Sequence, residues 1–135
     1  MGFLGPSLFA AKASAAQDPI ERRRWIQEGE AMLQPDCLAH ARLMFYRDAI
    51  DVSLEEKNWE EALRYANDLE EFARPEPFEF ARLAAARARG LVALGRRGPE
   101  PELVVELTSL SDEIRRAGFG ALVPGIEAAL ALAAA

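Results

Sequence analysis

The sequence has only one cysteine and one histidine among its 135 residues. A single cysteine allows no disulfide within the chain, which favours a reducing compartment and a cytoplasmic protein. Cys37 and His40 have a metal-like spacing, but a structural zinc site needs about four ligands and no second cysteine or histidine is present. We therefore expect neither a metal nor another cofactor.

Long apolar runs, a phosphate-binding loop and an excess of positive charge are also missing. No uninterrupted apolar stretch approaches the roughly 18 residues of a membrane span, and no GxxxxGK[ST] motif is present. The net charge of −6 disfavours nucleic acid as a partner, because its phosphate backbone is itself negative. The apolar N-terminus lacks a basic flank and is interrupted by Gly5, Pro6 and Ser7, which argues against a signal peptide.

The amino-acid composition is dominated by residues that favour helices. Alanine is abundant and β-branched residues are few. Alanine has the lowest cost in a helix, whereas β-branched side chains lose χ1 freedom there. No stretch of useful length alternates apolar and polar residues as a half-buried strand does. We expect an all-α protein, and its length fits a single domain spanning 1–135.

Seven helices are predicted from apolar residues at helical spacing and from the residues that begin and end helices. Asp18 before Pro19 is an N-cap followed by the residue favoured in the first helical turn. Asn58 with Glu61 three residues later has the pattern of a capping box, and Gly95–Pro99 is predicted to be a loop. The expected helices are 6–15, 19–34, 38–57, 59–73, 78–94, 101–117 and 122–130, with residues 131–135 fraying.

The stretch from Cys37 to Pro77 organises this pattern as a helical hairpin. Its first helix carries two neighbouring apolar lines, so it is expected to pack on both flanks, as an inner helix of an array does. These lines are Ala41, Phe45, Ala49 and Val52, and Leu43, Tyr46, Ile50 and Leu54. Three helical hairpins followed by a C-terminal capping helix are typical of a solenoid.

The central hairpin resembles a tetratricopeptide (TPR) repeat. The residues that carry the resemblance are Asn58-Trp59-Glu60-Glu61-Ala62-Leu63, Tyr65, Ala66, Pro75, Pro77, Tyr46 and Ala49. Ala62 lies at the small position of the repeat's G-D-Y-D-E-A-I turn and Trp59 at its aromatic position. The sequence departs from the pattern where Lys57 replaces the turn glycine, and the next such turn follows after about 40 residues instead of 34. The resemblance implies a TPR-like α-α superhelix of about seven helices.

A longer resemblance covers most of the chain. The runs Ile20–Leu33, Phe45–Ile50 and Trp59–Glu71 resemble the C-terminal helical region of bacterial proteins that combine a class III nucleotide cyclase domain, an AAA-type ATPase domain and TPR-like repeats. This resemblance implies a regulatory piece of a signalling ATPase or cyclase. It implies no catalytic activity for this chain, since nothing in it matches the cyclase or ATPase parts.

The best candidate for function is the groove that helical repeats build from the first helix of each pair. Arg47, Asp51 and Glu55 lie at four-residue steps on the central helix, and Arg82 and Arg89 lie seven residues apart on the next first helix. Because arginine can hold a carboxylate with two hydrogen bonds, these five residues form the predicted binding site for a protein or peptide. The predicted function is a non-catalytic protein–protein interaction or scaffold module, with no catalytic residues.

The residues leave two alternatives open. A small helical metal-binding protein or enzyme would use Cys37 and His40 with the carboxylates of Asp48 and Asp51, because paired carboxylates in different environments can act as acid and base. A homodimer would form through the apolar segment 6–15, since a short helix that is apolar on nearly every side must dock on another surface.

Overall fold

The computed structural model describes residues 18–31, 39–75 and 78–134. Within these ranges the chain is helical and contains no strand, which confirms the all-α prediction. The helices are α1 (Pro19–Ala31), α2 (Ala39–Glu55), α3 (Trp59–Ala73), α4 (Glu79–Arg97), α5 (Pro101–Ala117) and α6 (Val123–Ala134), and a short 3-10 helix (Gly120–Leu122) precedes α6. The first predicted helix, 6–15, lies outside the described residues.

Two of the predicted helix ends are wrong. α4 continues through Gly95 to Arg97, although the sequence predicts a loop from Gly95 onwards. The helix ends instead before Gly98, whose φ of 82° is a conformation that favours glycine. α6 is helical as far as Ala134, beyond the predicted end at Leu130, in keeping with the high helix propensity of alanine.

The chain divides into two compact units, Met1–Tyr65 and Ala66–Ala135. The single-domain expectation stays a prediction, and each unit is described by itself.

In the first unit, ion pairs between α1 and α2 show that these two helices run in opposite directions. Arg22 and Arg23, near the start of α1, pair with Glu55 and Glu56 at the end of α2. The start of one helix therefore meets the end of the other, as in an antiparallel pair. Asp18 begins α1 as predicted, because its Oδ1 accepts a hydrogen bond from the N–H of residue 20 at 3.0 Å.

The core of the first unit is built around α2. Phe45 is completely buried and makes edge contacts with the rings of Tyr46 and Tyr65, with ring centroids 5.7 and 5.8 Å apart. The buried residues on α2 include six of the eight on the predicted apolar lines, whereas Leu43 and Leu54 are only half-buried. The wide apolar arc of this helix is therefore mostly covered, as the sequence predicts.

The turn between α2 and α3 places a lysine in a conformation that glycine normally occupies. Lys57 has φ 58°, in the left-handed region. Its N–H donates to Leu54 O, and the N–H of Asn58 donates to Ser53 O, which is the Schellman pattern that ends many helices. Asn58 then begins α3 as predicted, because its Oδ1 accepts the N–H of Glu61 at 3.3 Å.

Substituting Lys57→Gly is expected to raise the free energy of unfolding by roughly 0.5–1 kcal/mol. Glycine removes the cost of a left-handed residue, although it also gives the unfolded chain more freedom. Urea titration followed by tryptophan fluorescence measures the change. Lys57→Ala is the control, since it removes the same charge and keeps the strained φ. Equal stability of the glycine and alanine variants would contradict the expectation.

In the second unit, α4 and α5 form an antiparallel pair. Arg82 near the start of α4 pairs with Glu113 near the end of α5, and Gly90 faces Leu107 at the middle of both helices. The missing side chain at Gly90 therefore lets the two helices approach closely. α6 packs on α5 and α4.

A buried arginine links α4 to the segment just before α6. Arg87 is only 5% exposed, and its Nε donates to the carbonyl oxygen of Leu122 at 2.8 Å. Gly125 lies directly against its guanidinium. The buried apolar residues of this unit include Leu83, Leu91, Leu107, Ile114 and Ile126.

Three apolar residues of α4 and α5 are less buried than the helical spacing of apolar residues along these helices predicts. Phe80 and Leu110 are half-buried, and Ala117 is exposed at the end of α5. Phe80 nevertheless contacts the ring of Phe119 edge-on, with 5.4 Å between centroids.

Candidate functional site

The five predicted partner-binding residues fall in both units. Arg47, Asp51 and Glu55 lie on α2 in the first unit, and Arg82 and Arg89 lie on α4 in the second. The members of each set therefore share one helix. The groove that the sequence predicts from all five stays a prediction.

On α2, the predicted residues take part in ion pairs within the chain. Arg47 Nε donates to Asp48 Oδ1 at 3.1 Å, and Glu55 pairs with Arg22 of α1. Asp51 is half-buried. Pairs of this kind among partly exposed side chains contribute about 0–1 kcal/mol each, so the energetic cost of exchanging them for a partner's charges is small.

Asp48, next to Arg47, has a raised pKa. Burial is the main cause of the raised pKa, and the hydrogen bond from Arg47 opposes it. The acid–base role that the alternative enzyme hypothesis gives to Asp48 and Asp51 stays a prediction.

A cluster of four side chains, which we call the Arg64 cluster, joins α1 to α3 in the first unit. Arg64 donates two hydrogen bonds to the carboxylate of Glu30, at 2.7 and 3.1 Å, and two more to Glu61, at 2.9 and 2.8 Å. The hydroxyl of Tyr65 donates to Glu30 Oε1 at 2.9 Å. Bidentate guanidinium–carboxylate pairs are among the stronger polar contacts in proteins. The cluster therefore fixes α1 against α3.

The Arg64 cluster also shifts the pKa values of its members. The hydrogen bonds from Arg64 hold the pKa of Glu30 and that of Glu61 below their usual range. Burial, followed by the hydrogen bond to Glu30, raises the pKa of the Tyr65 hydroxyl. The cluster is thus charged at neutral pH, with both carboxylates ionised.

Substituting Glu30→Gln is expected to lower the free energy of unfolding by about 1–2 kcal/mol at pH 7, a value discounted for partial exposure. The folded-state pKa of Glu30 is depressed. The stabilisation that ionised Glu30 gives the folded chain is therefore complete at a pH above the pKa of Glu30 in the unfolded chain. It is lost as the pH falls through the pKa of Glu30 in the folded chain. Urea titrations at pH 7 and near pH 3 should show the difference from wild type shrinking at the lower pH.

The control for this experiment is Glu28→Gln, which removes the same charge from an exposed position on α1. It should change stability little at either pH. A loss for Glu30→Gln of the same size at both pH values would contradict the assignment of the stabilisation to the ionised carboxylate.

On α4, the two predicted arginines also pair within their own unit. Arg82 donates to Glu79 Oε2 at 2.9 Å and pairs with Glu113 of α5. Arg89 donates to Asn67 Oδ1 at 2.8 Å and pairs with Glu70 of α3. The hydrogen bond from Arg89 lowers the pKa of Glu70, and that from Arg82 lowers the pKa of Glu79.

A shallow groove of about 370 Å³ lies between α4 and α5 in the second unit. We call it the α4–α5 groove. It is lined by Ala86, Arg89, Gly90, Ala93 and Arg97 of α4 and by Leu103, Glu106, Leu107 and Leu110 of α5. Arg89 is thus a predicted binding residue that borders a concave surface. The sequence suggested Arg89 through its spacing from Arg82, but it gave no signal for the α5 side of this groove.

The alternative metal site falls mostly outside the described structure. Cys37 and the side chain of His40 are not among the described residues. Among the side chains that are described, no group of three or more histidine, cysteine, aspartate and glutamate residues is placed to hold a metal ion. In the same part of the chain, no helix combines the length and apolarity needed to cross a membrane.

Comparison of the chain with protein-family models, curated proteins and solved structures finds no significant match. The function must therefore be argued from the residues and contacts described above.

Proposed function

We propose that this chain is a non-catalytic, TPR-like helical module that binds a protein or peptide. The observation that carries the proposal is a polar contact across about one repeat length in each unit. In the first unit Glu30 of α1 binds Arg64 of α3, 34 residues later. In the second unit Arg87 of α4 binds the carbonyl of Leu122 just before α6, 35 residues later.

These separations are close to the 34 residues of a TPR. In an array of helical hairpins, each helix packs on the next helix and on its equivalent one repeat later, so contacts at one repeat length are expected. The turn at Lys57 also supports the proposal, because a left-handed residue lies where the repeat pattern has a glycine. Arrays of this kind act mainly by presenting an extended surface to other proteins.

The proposed binding residues are Arg47, Asp51, Glu55, Arg82 and Arg89. Arg47, Glu55, Arg82 and Arg89 form ion pairs between partly exposed side chains, which a partner can replace at low cost. Charged side chains of both signs would favour a partner of mixed charge and would steer its approach. The resemblance to regions beside cyclase and ATPase domains suggests a regulatory or scaffolding role next to such a signalling enzyme, in the cytoplasm.

The proposal is tested by affinity purification of the tagged chain, with cross-linking, from cells that express it. The double variant Arg47→Glu with Arg82→Glu is expected to lose the proteins that the wild-type chain retains specifically. The matched control is Arg74→Glu with Arg116→Glu, which reverses two exposed charges outside the predicted set. Far-UV circular dichroism verifies that all variants are folded. Retention of every partner by the first double variant would count against the proposed residues, and the absence of any specific partner would count against the module itself.

A further inference from the structure

α1 is attached to the rest of the first unit with little apolar contact. Of its thirteen residues, all of which the structure describes, Ile26 and Gly29 are the buried ones, so Ile26 supplies the one buried apolar side chain. On α2, by contrast, the larger side chains of Phe45, Tyr46 and Ile50 are all buried. Because burial of apolar surface is the main favourable term in folding, α1 gains much less from it than α2 does.

Charged contacts hold α1 at both of its ends. Near its start, Arg23 pairs with Glu56 of α2 at 2.6 Å. Near its end, Glu30 accepts two hydrogen bonds from Arg64 of α3, at 2.7 and 3.1 Å. The four side chains are between 19% and 41% exposed, so dissolved ions can approach them and screen their attraction.

We propose that α1 is a detachable helix, which undocks and unfolds while α2 and α3 stay folded, and that ionic strength sets how often it does so. Isolated helices shorter than about 12–15 residues are marginal in water, so a detached α1 is expected to lose its helical hydrogen bonds. Without α1, the ring of Phe45 still contacts that of Tyr65 on α3. This property does not depend on whether the chain binds a partner.

Salt acts differently on the two kinds of contact that α1 makes. The distance over which charges interact falls from about 10 Å at 0.1 M salt to about 3 Å at 1 M, which weakens the attraction at both ends of the helix. Screening does not weaken the apolar contact of Ile26, since that contact involves no charge. Added salt should therefore open α1 without opening α2, whose large buried side chains are aromatic and aliphatic.

Undocking of α1 changes the hydrogen bonding of α3. When Glu30 leaves, Arg64 loses two of its four hydrogen bonds to carboxylates and keeps the two to Glu61. The hydroxyl of Tyr65 loses the acceptor Glu30 Oε1. Docked α1 thus occupies hydrogen-bonding groups of α3 that the open state releases.

Hydrogen–deuterium exchange on the full chain tests whether α1 opens by itself. Amides that exchange through local opening report the population of the open state. At pH 7 and 0.05 M NaCl, the amides of α1 are expected to exchange at least about tenfold faster than those of residues 45–52 on α2. At 1 M NaCl the exchange of α1 should be at least about fivefold faster than at 0.05 M. The amides of α2 serve as the internal reference for any general effect of salt.

Two neighbouring arginines of α1 then assign the effect to the ion pairs. Arg23→Gln removes the pair with Glu56 and should speed the exchange of α1 at least about threefold at 0.05 M NaCl, with a smaller response to added salt. Arg24→Gln is the matched control. It removes the same charge from an exposed position, where the guanidinium lies over the ring of Trp25 on the same helix, and it should change the exchange of α1 less than about twofold.

Three results would overturn the inference. They are equal exchange of α1 and α2 in the wild-type chain, exchange of α1 that does not respond to salt, and equal effects of the two arginine substitutions. The first two need no variant, so a misfolded Arg23→Gln chain could not hide a negative result.

Discussion

Replacing Phe45 with alanine is expected to lower the free energy of unfolding by about 3–5 kcal/mol, the range for removing a buried aromatic ring. Phe45 is completely buried, and its ring contacts those of Tyr46 and Tyr65. The substitution therefore leaves a cavity in the first unit and removes two edge-to-face contacts. Native domains are stable by only about 5–15 kcal/mol, so the variant should lose a large share of its stability.

The distribution of tryptophan makes this effect measurable in one unit. Both tryptophans, Trp25 and Trp59, belong to the first unit, so tryptophan fluorescence reports on that unit during urea unfolding. Ile20→Ala is the control, because it shortens an apolar side chain that is 80% exposed, and it should change stability by less than about 0.5 kcal/mol. A loss for Phe45→Ala as small as that of the control would show that the ring is not part of a packed core.

Substituting Gly90→Ala is expected to lower the free energy of unfolding by about 1–3 kcal/mol, although alanine is normally the better helix residue. A methyl group at Gly90 would lie 2.6 Å from Leu107 Cδ2, well inside the contact distance of two carbon atoms. Leu107 is 1% exposed and surrounded by core residues, so it cannot move aside freely. Overpacking of this kind outweighs the gain of about 1 kcal/mol from helix propensity.

Gly95 provides the matched control on the same helix. It is exposed and has an ordinary helical backbone, so Gly95→Ala should gain about 1 kcal/mol from helix propensity. Urea unfolding followed by far-UV circular dichroism should therefore show opposite signs for the two substitutions. In a double-mutant cycle, Leu107→Ala should offset part of the loss caused by Gly90→Ala. Stabilisation by Gly90→Ala would contradict the close contact between α4 and α5.

The helices could be predicted from the sequence because their signals are local. Apolar residues at a spacing of about 3.6 and capping residues such as Asp18 and Asn58 depend only on near neighbours. The end of α4 was missed for a related reason. Either Gly95 or Gly98 could end the helix, because glycine readily adopts a positive φ. In the folded chain it is Gly98 that does so.

The contacts between helices could not be predicted in the same way. Spacing along α3 predicts Glu60, four residues before Arg64, as its partner. The structure instead pairs Arg64 with Glu61 on the same helix and with Glu30, which is 34 residues away. Sequence spacing identifies neighbours on one helix, but the partner of a side chain on another helix depends on how the helices pack. For the same reason, spacing along α4 indicates Arg89, but it does not indicate Leu103 and Leu110 of α5, which complete the α4–α5 groove.

The exposed lysine at the turn between α2 and α3 is also a convenient position for a fluorescent label. Lysine occurs only at positions 12 and 57, and Lys57 is exposed. In a Lys12→Arg background, an amine-reactive dye would find a single lysine, located at the turn between α2 and α3. Trp59 is two residues away and can serve as the energy donor or quencher for that dye. One substitution thus creates a local optical reporter for the conformation of the turn between α2 and α3.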